Sequence, residues 1–252
     1  MTTAERLQSI LQSKAAIKAA IIAKGVSCDN VLSSFANRIA AIQGKLSVTD
    51  GLRFRGTITA ANLSQMGFDS LTIGEQMFSE AIIDASGDIS LSFPAVVATR
   101  QMFYSCTFST GATLNVSCPA NYDNNYSYMF SNCVCDKINL TLTKYQNPQD
   151  FNNVFNGCTA NEINLTCTGN KMQRFTGTFA GCNALKKLHL ETNIVADLDL
   201  SACTALETDS IVGVIAKLES NAGKTLTLGT TNLAKLTDAQ KAVATAKGWT
   251  LK

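Results

Sequence analysis

The sequence predicts an α+β protein: an N-terminal helical hairpin, then a solenoid of stacked coils with short parallel strands, then a C-terminal helical-coil cap. Three observations carry that expectation. Phe78, Phe103, Phe130, Phe155 and Phe179 recur at intervals of 25, 27, 25 and 24 residues. From the second onward each is followed three residues later by a cysteine, giving Cys106, Cys133, Cys158 and Cys182. Short apolar-polar-apolar triplets run in step and centre on Ser90, Asn115, Asn139, Asn164 and His189. A period near 25 residues marks a supersecondary unit that cannot bury its apolar face alone and stacks on copies of itself. Function is therefore expected on a surface rather than in a catalytic pocket.

Residues 1–44 follow a helical rule. Thr2 and Glu5 make a T-x-x-E capping box, and Leu7, Ile10, Leu11, Ile17 and Ile21 then fall on one face of a helix that Gly25 can end. Asp29 or Asn30 can cap a second helix, whose stripe is Val31, Phe35, Ile39 and Ile42 and which Gly44 closes. A hairpin of this size buries too little to stand alone. Its apolar stripe either caps the end of the solenoid or joins other subunits.

Residues 45–69 read as a connector with one strand, Leu52 to Ile58, and the solenoid occupies 70–252, with coils starting near Leu71 and Ile73. Within it, Ile89 and Leu91, Leu114 and Val116, Ile138 and Leu140, Ile163 and Leu165, and Leu188 and Leu190 flank the polar column. Period-2 alternation turns these pairs inward and one polar residue per coil outward. Outward neighbours include Ser92, Ser117, Thr141, Thr166 and Glu191 on one side and Lys137, Glu162 and Lys187 on the other. The alternating charges suit parallel strands that bring like positions together, and a slip of one residue would bury Lys137, Asn139 and Thr141.

From about residue 204 the pattern drifts into the cap. Ser210 to Leu218 reads as a short helix, Leu226 and Leu228 as a strand, Thr237 to Lys247 as a helix and Trp249 to Leu251 as a strand. Thr237 and Gln240 match a capping box, and Gly248 a helix stop.

Composition excludes several classes. The chain of 252 residues is 46% hydrophobic and 16% charged, enough for a core, and its net charge of +2 comes without a basic block. Neither nucleic-acid binding nor membrane insertion is expected. The opening MTTAERLQSI is charged in its first turn and does not read as a signal peptide, so the product is expected to fold in the cytoplasm where it is made. Five N-x-S/T triplets, at Asn62, Asn115, Asn125, Asn139 and Asn164, are read as chance. Nine cysteines are an odd count without a C-x-x-C, and four share one phase of the repeat, which favours buried thiols over disulfides. With a single histidine, His189, no metal site and no cofactor are expected. No nucleophile elbow, P-loop or H-E-x-x-H occurs, so no catalytic residues are assigned and the chain is not read as an enzyme.

The segments MFSNCVCDKINLTL, VFNGCTANEINLTC and TFAGCNALKKLHL resemble the BspA-like class of leucine-rich repeats, over roughly residues 70 to 230. Phe78 departs from the pattern in lacking the cysteine, and PANYDNNYSY is an insertion expected to form a loop. The stretch ILQSKAAIKAAIIAKGVSCDNVLSSFANRIAAIQG resembles the helical segment that opens many virion structural proteins of tailed bacteriophages, and LTDAQKAVATAKGWTLK resembles their ends. The resemblance implies a fibre, tail or decoration subunit of a phage virion, which docks through its N-terminal part and forms a homo-oligomer with other virion proteins as partners. On that expectation Leu7, Ile10, Leu11, Ile17, Ile21, Phe35, Ile39 and Ile42 form the assembly interface.

The alternative is a module that recognises a host-surface glycan or protein. Its candidate ligand surface is Asn115, Asn139, Asn164 and His189 on the strands, with Tyr122, Tyr126 and Tyr128 in the insertion. Amide rows equally stabilise stacked strands by bonding to each other, and the tyrosines could pack back on the sheet.

Overall fold

A computed structural model describes residues 46–47, 50–119, 126–143, 151–167, 174–220 and 223–252. In chain order its elements are β1 (Leu46–Ser47), β2 (Thr57–Thr59), α1 (Ala60–Ser64), β3 (Met66–Gly67), β4 (Ile82–Asp84), β5 (Gly87–Ser92), β6 (Thr107–Phe108), β7 (Ala112–Pro119), β8 (Lys137–Thr143), β9 (Glu162–Cys167), β10 (Lys187–Leu190), β11 (Leu198–Asp199), α2 (Thr208–Lys217), β12 (Lys224–Thr227), α3 (Gly229–Leu233), α4 (Asp238–Ala246) and β13 (Trp249–Leu251). The chain divides into two compact units, one of residues 1–47 and 61–67, the other of 48–60 and 68–252. In the smaller unit β1 and β3 pair in parallel, Leu46 opposite Met66.

The larger unit is built on three parallel sheets, in the orders β10-β9-β8-β7-β5, β2-β4-β6 and β11-β12-β13. The five-stranded sheet holds the register expected from the triplets. Ile89, Leu114, Ile138, Ile163 and Leu188 lie opposite one another, and so do Ser90, Asn115, Asn139, Asn164 and His189. The first row is buried throughout. Strand β8 alternates half-buried and buried residues along KINLTLT, as period-2 geometry requires.

The phenylalanine column is the core beside this sheet. Phe78, Phe103, Phe130, Phe155 and Phe179 are fully buried. Their rings stack with centroids 5.2, 5.3, 5.5 and 5.6 Å apart and interplanar angles of 10° or less. Phe54 adds a further ring at 5.3 Å from Phe78. These separations exceed the strand spacing of about 4.8 Å only slightly, so the rings pack as an offset stack in step with the strands. Cys106, Cys133, Cys158, Cys182 and Cys203 are buried free thiols, as are Cys118, Cys135 and Cys167.

Each column phenylalanine sits between two left-handed residues. Gln76, Gln101, Tyr128, Asn153 and Gly177 precede it by two positions, and Glu80, Ser105, Asn132, Gly157 and Gly181 follow it by two, all with φ between 51° and 73°. The chain turns sharply on either side of the buried ring, and the cost of the left-handed conformation, about 1 kcal/mol or more for each non-glycine residue, is offset by the ladder bonds that fix it. The Phe78, Phe103, Phe130 and Phe155 amides each donate to a carbonyl of the next repeat at 2.8 to 3.0 Å.

The structure departs from the expected fold class. The structure is mixed α/β, with parallel-strand sheets and four helices among the described residues, in place of an α+β leucine-rich-repeat-like solenoid closed by a helical-coil cap. The strands sort into separate sheets. Over 198–251 strands and helices alternate, and β11, β12 and β13 pair in parallel. Parallel neighbours cannot be joined by a tight turn, so the intervening helices serve as crossovers, which is the α/β arrangement. The helical hairpin expected over 1–44 lies outside the described residues. The strand expected over Leu52 to Ile58 shrinks to β2 because Gly56 takes φ 80° and breaks the extended run.

The C-terminal segment is tied down by polar contacts. Lys247 Nζ donates to Ile215 O and Ala216 O at 3.2 and 2.7 Å, placing an ammonium at the C-terminus of α2, where carbonyls lack intrahelical partners. The capping box of α4 is formed: Thr237 Oγ1 accepts from Gln240 N at 3.3 Å, and Thr237 N donates to Gln240 Oε1 at 2.8 Å. Buried Asn232 donates to Leu200 O and Cys203 O, both at 3.2 Å.

Candidate functional site

The outward face of the five-stranded sheet carries the polar column as a connected ladder. Asn164 Nδ2 donates to Asn139 Oδ1 at 2.7 Å, Asn139 Nδ2 to Asn115 Oδ1 at 2.6 Å, and Asn115 Nδ2 to Ser90 Oγ at 3.4 Å. Every amide points the same way along the stack. Asn115, Asn139 and Asn164 are half-buried, so the two bonds between amides are partly shielded from water, while the bond to Ser90 is exposed. Asn115 and Asn139 each still have one N–H and one carbonyl lone pair outside the ladder.

Charge flanks the ladder in register. Lys137 Nζ lies 2.6 Å from Glu162 Oε1, and Asn164 Nδ2 donates to the same oxygen at 3.0 Å. The Lys137 hydrogen bond holds the Glu162 carboxyl below its ordinary range, against a smaller upward push from burial. His189 does not continue the ladder. Its Nε2 lies 2.6 Å from Glu191 Oε1, and this contact is the first cause of the lowered Glu191 carboxyl. A shallow groove of about 290 Å³ runs over β5, β7 and β8, lined by Ser90, Ser92, Asn115, Ser117, Asn139 and Thr141 among others.

The tyrosines expected on a projecting loop divide three ways. Tyr122 lies outside the described residues. Tyr126 is corrected from ligand surface to core: it is fully buried, its hydroxyl donates to Pro119 O at 2.8 Å, and its ring stacks on Phe151 with centroids 5.9 Å apart. Phe151 stacks in turn on Phe175 at 5.9 Å, so Tyr126 opens a second aromatic column. Tyr128 is half-buried in a left-handed turn. The assembly residues Leu7, Ile10, Leu11, Ile17, Ile21, Phe35, Ile39 and Ile42 all lie outside the described residues.

A second concavity is formed by other residues. Arg174, Thr176, Asp197, Asp199, Lys224 and Thr227 contribute to a cleft of about 540 Å³ over β11 and β12. These residues span some fifty positions, and three of them, Arg174, Asp199 and Lys224, recur at intervals of 25, the period of the repeat, which is the signal in the sequence that joins them. Among the described residues no three His, Cys, Asp or Glu side chains converge as a metal site, and no helix is long and apolar enough to cross a membrane.

In comparisons with known proteins, the chain matches no protein-family model, no curated protein and no solved structure.

Proposed function

We propose that this chain is a structural component of a bacteriophage virion, a fibre, tail or decoration subunit that attaches through residues 1–44 and displays its parallel-sheet body. The observation that carries the structural role is the asparagine ladder. Its amides bond to one another along the sheet, so the most regular polar feature of the molecule stabilises the body itself. The phage assignment rests on the resemblance of the N-terminal helical stretch and of the C-terminal LTDAQKAVATAKGWTLK. The partners on this reading are other virion proteins and further copies of the chain.

The test is incorporation into particles. Ile10→Asp together with Ile21→Asp places charges on the apolar stripe, where an unpaired charge is strongly unfavourable. The double variant should fold, as judged by its thermal unfolding, and be missing from purified particles. Normal incorporation would overturn the assignment of the stripe to assembly.

A second reading, recognition of a host-surface glycan or protein, is favoured by the groove over β5, β7 and β8, whose hydroxyl and amide lining offers unused donors and acceptors. Loss of adsorption without loss of incorporation, on substituting Ser92 and Thr141 by alanine, would select it.

A further inference from the structure

The cleft over β11 and β12 is lined by two cations and two carboxylates. Arg174 and Lys224 both line it, and among the described residues neither side chain has a hydrogen-bond or ion-pair partner. The carboxylates beside them are held in place. Asp197 Oδ1 accepts from Thr225 N at 2.7 Å, and Asp199 Oδ1 accepts from Ser201 N at 2.9 Å and Ser201 Oγ at 2.7 Å. Each aspartate thus keeps Oδ2 as an oriented acceptor. At about 540 Å³ the cleft falls within the usual range for small-molecule sites, roughly 300 to 1,000 Å³.

Backbone conformation singles out the same place. Every other described non-glycine residue with positive φ lies two positions from a column phenylalanine, where the repeat needs it. Arg174 alone stands outside that scheme, at φ 63°. Its carbonyl accepts from Phe151 N at 3.2 Å, which helps fix the turn. A strained residue whose guanidinium has no partner among the described residues, at the lip of a cleft, is the arrangement in which strain marks a binding role.

We infer that this cleft binds an acidic saccharide through Arg174 and Lys224, with Asp197 and Asp199 accepting hydrogen bonds from its hydroxyl groups. The charge pattern selects the ligand class. Two cations call for an anion, and a planar guanidinium matches a carboxylate in bidentate fashion. Two carboxylates in the same cleft repel a compact polyanion such as phosphate while suiting a ligand rich in hydroxyl donors. A hexuronate satisfies both demands with one negative charge per ring.

Titration calorimetry of the full chain with tetragalacturonate tests this, with its methyl ester as the neutral twin and with acetate and inorganic phosphate as free anions. The acid oligomer should bind, and the ester and the free anions should bind at least about tenfold more weakly, a difference of ~1.4 kcal/mol. Arg174→Ala and Lys224→Ala should each weaken the acid oligomer by about the same factor without lowering the melting temperature. Arg174→Gly should weaken binding and raise the melting temperature, because glycine adopts positive φ without strain, a combination that a purely structural arginine would not give. No binding of the acid oligomer, equal binding of the ester, equally tight binding of acetate or phosphate, or unchanged affinity in both alanine variants would overturn the proposal. Incorporation into particles, the readout of the structural role, would be untouched by these variants.

Discussion

Ser210 Oγ accepts a hydrogen bond from Leu188 N at 2.6 Å and lies 3.2 Å from Leu188 O, to which it donates. One hydroxyl on α2 thus satisfies both main-chain groups of a residue in β10, the last strand of the five-stranded sheet. Edge strands with free N–H and C=O groups invite pairing with other chains, and covering the edge with a helix is a known remedy. Glu207 N continues the cover by donating to Lys186 O at 2.9 Å.

Ser210→Ala should therefore lower stability by about 1 to 3 kcal/mol, the range for leaving a shielded polar group without its partner. Urea denaturation measures it. A loss under about 0.3 kcal/mol, well below a typical net hydrogen bond, would mean that water replaces the hydroxyl and that the edge is open.

Gly157 and Asn132 form a coupled pair. A Cβ at Gly157, where φ is 68°, would stand 2.3 Å from Asn132 Oδ1. Gly157→Ala should destabilise by about 2 kcal/mol, about half from the left-handed backbone and half from the displaced amide. In an Asn132→Ala background the same change should cost roughly 1 kcal/mol less, and a double-mutant cycle reads the difference.

Phe155 is fully buried between Phe130 and Phe179. Phe155→Ala should cost about 3 to 5 kcal/mol, and more than an equivalent change at a column end, because two ring contacts are lost. Chemical denaturation of Phe155→Ala beside Phe179→Ala checks both size and order.

Burial also gives the cysteines a pH signature. The Cys158 and Cys167 thiols are pushed up from 9.0 to about 12, chiefly by desolvation of the thiolate. The folded state keeps these protons while the unfolded chain releases them above its ordinary value, so this stability is full below pH 9 and is lost as pH rises toward 12. The urea midpoint should fall between pH 9 and 11, and Cys158→Ala with Cys167→Ala should flatten that fall. The eight described cysteines should react with thiol reagents only on unfolding.

Much of the repeat was legible because its chemistry is coarse and periodic. Buried rings at one phase, and apolar pairs flanking a polar residue, can be counted along the chain, and the register of β5 to β10 follows from them. The left-handed turns were not legible where Gln76, Glu80, Gln101 and Ser105 occupy them, since these residues carry no glycine signal. Tyr126 stands in a stretch whose composition reads as loop, yet Phe151 and Phe175 follow it at intervals of 25 and 24, a second aromatic phase that gives away its burial. The fold class is not legible in the sequence because strand pairing between β11, β12 and β13 is a property of space. The sequence shows helices and strands there but not that the strands meet in parallel.

The asparagine ladder carries the central claim, and Asn139→Ala tests it most directly because Asn139 is bonded on both sides, at 2.6 and 2.7 Å. Two partly shielded hydrogen bonds at about 0.5 to 1.5 kcal/mol each predict a stability loss of roughly 1 to 2 kcal/mol. If the ladder is structural, the variant should show that loss in urea denaturation while particles carrying it adsorb to host cells normally. Stability within about 0.3 kcal/mol of the parent together with lost adsorption would contradict the account and make the ladder a recognition surface.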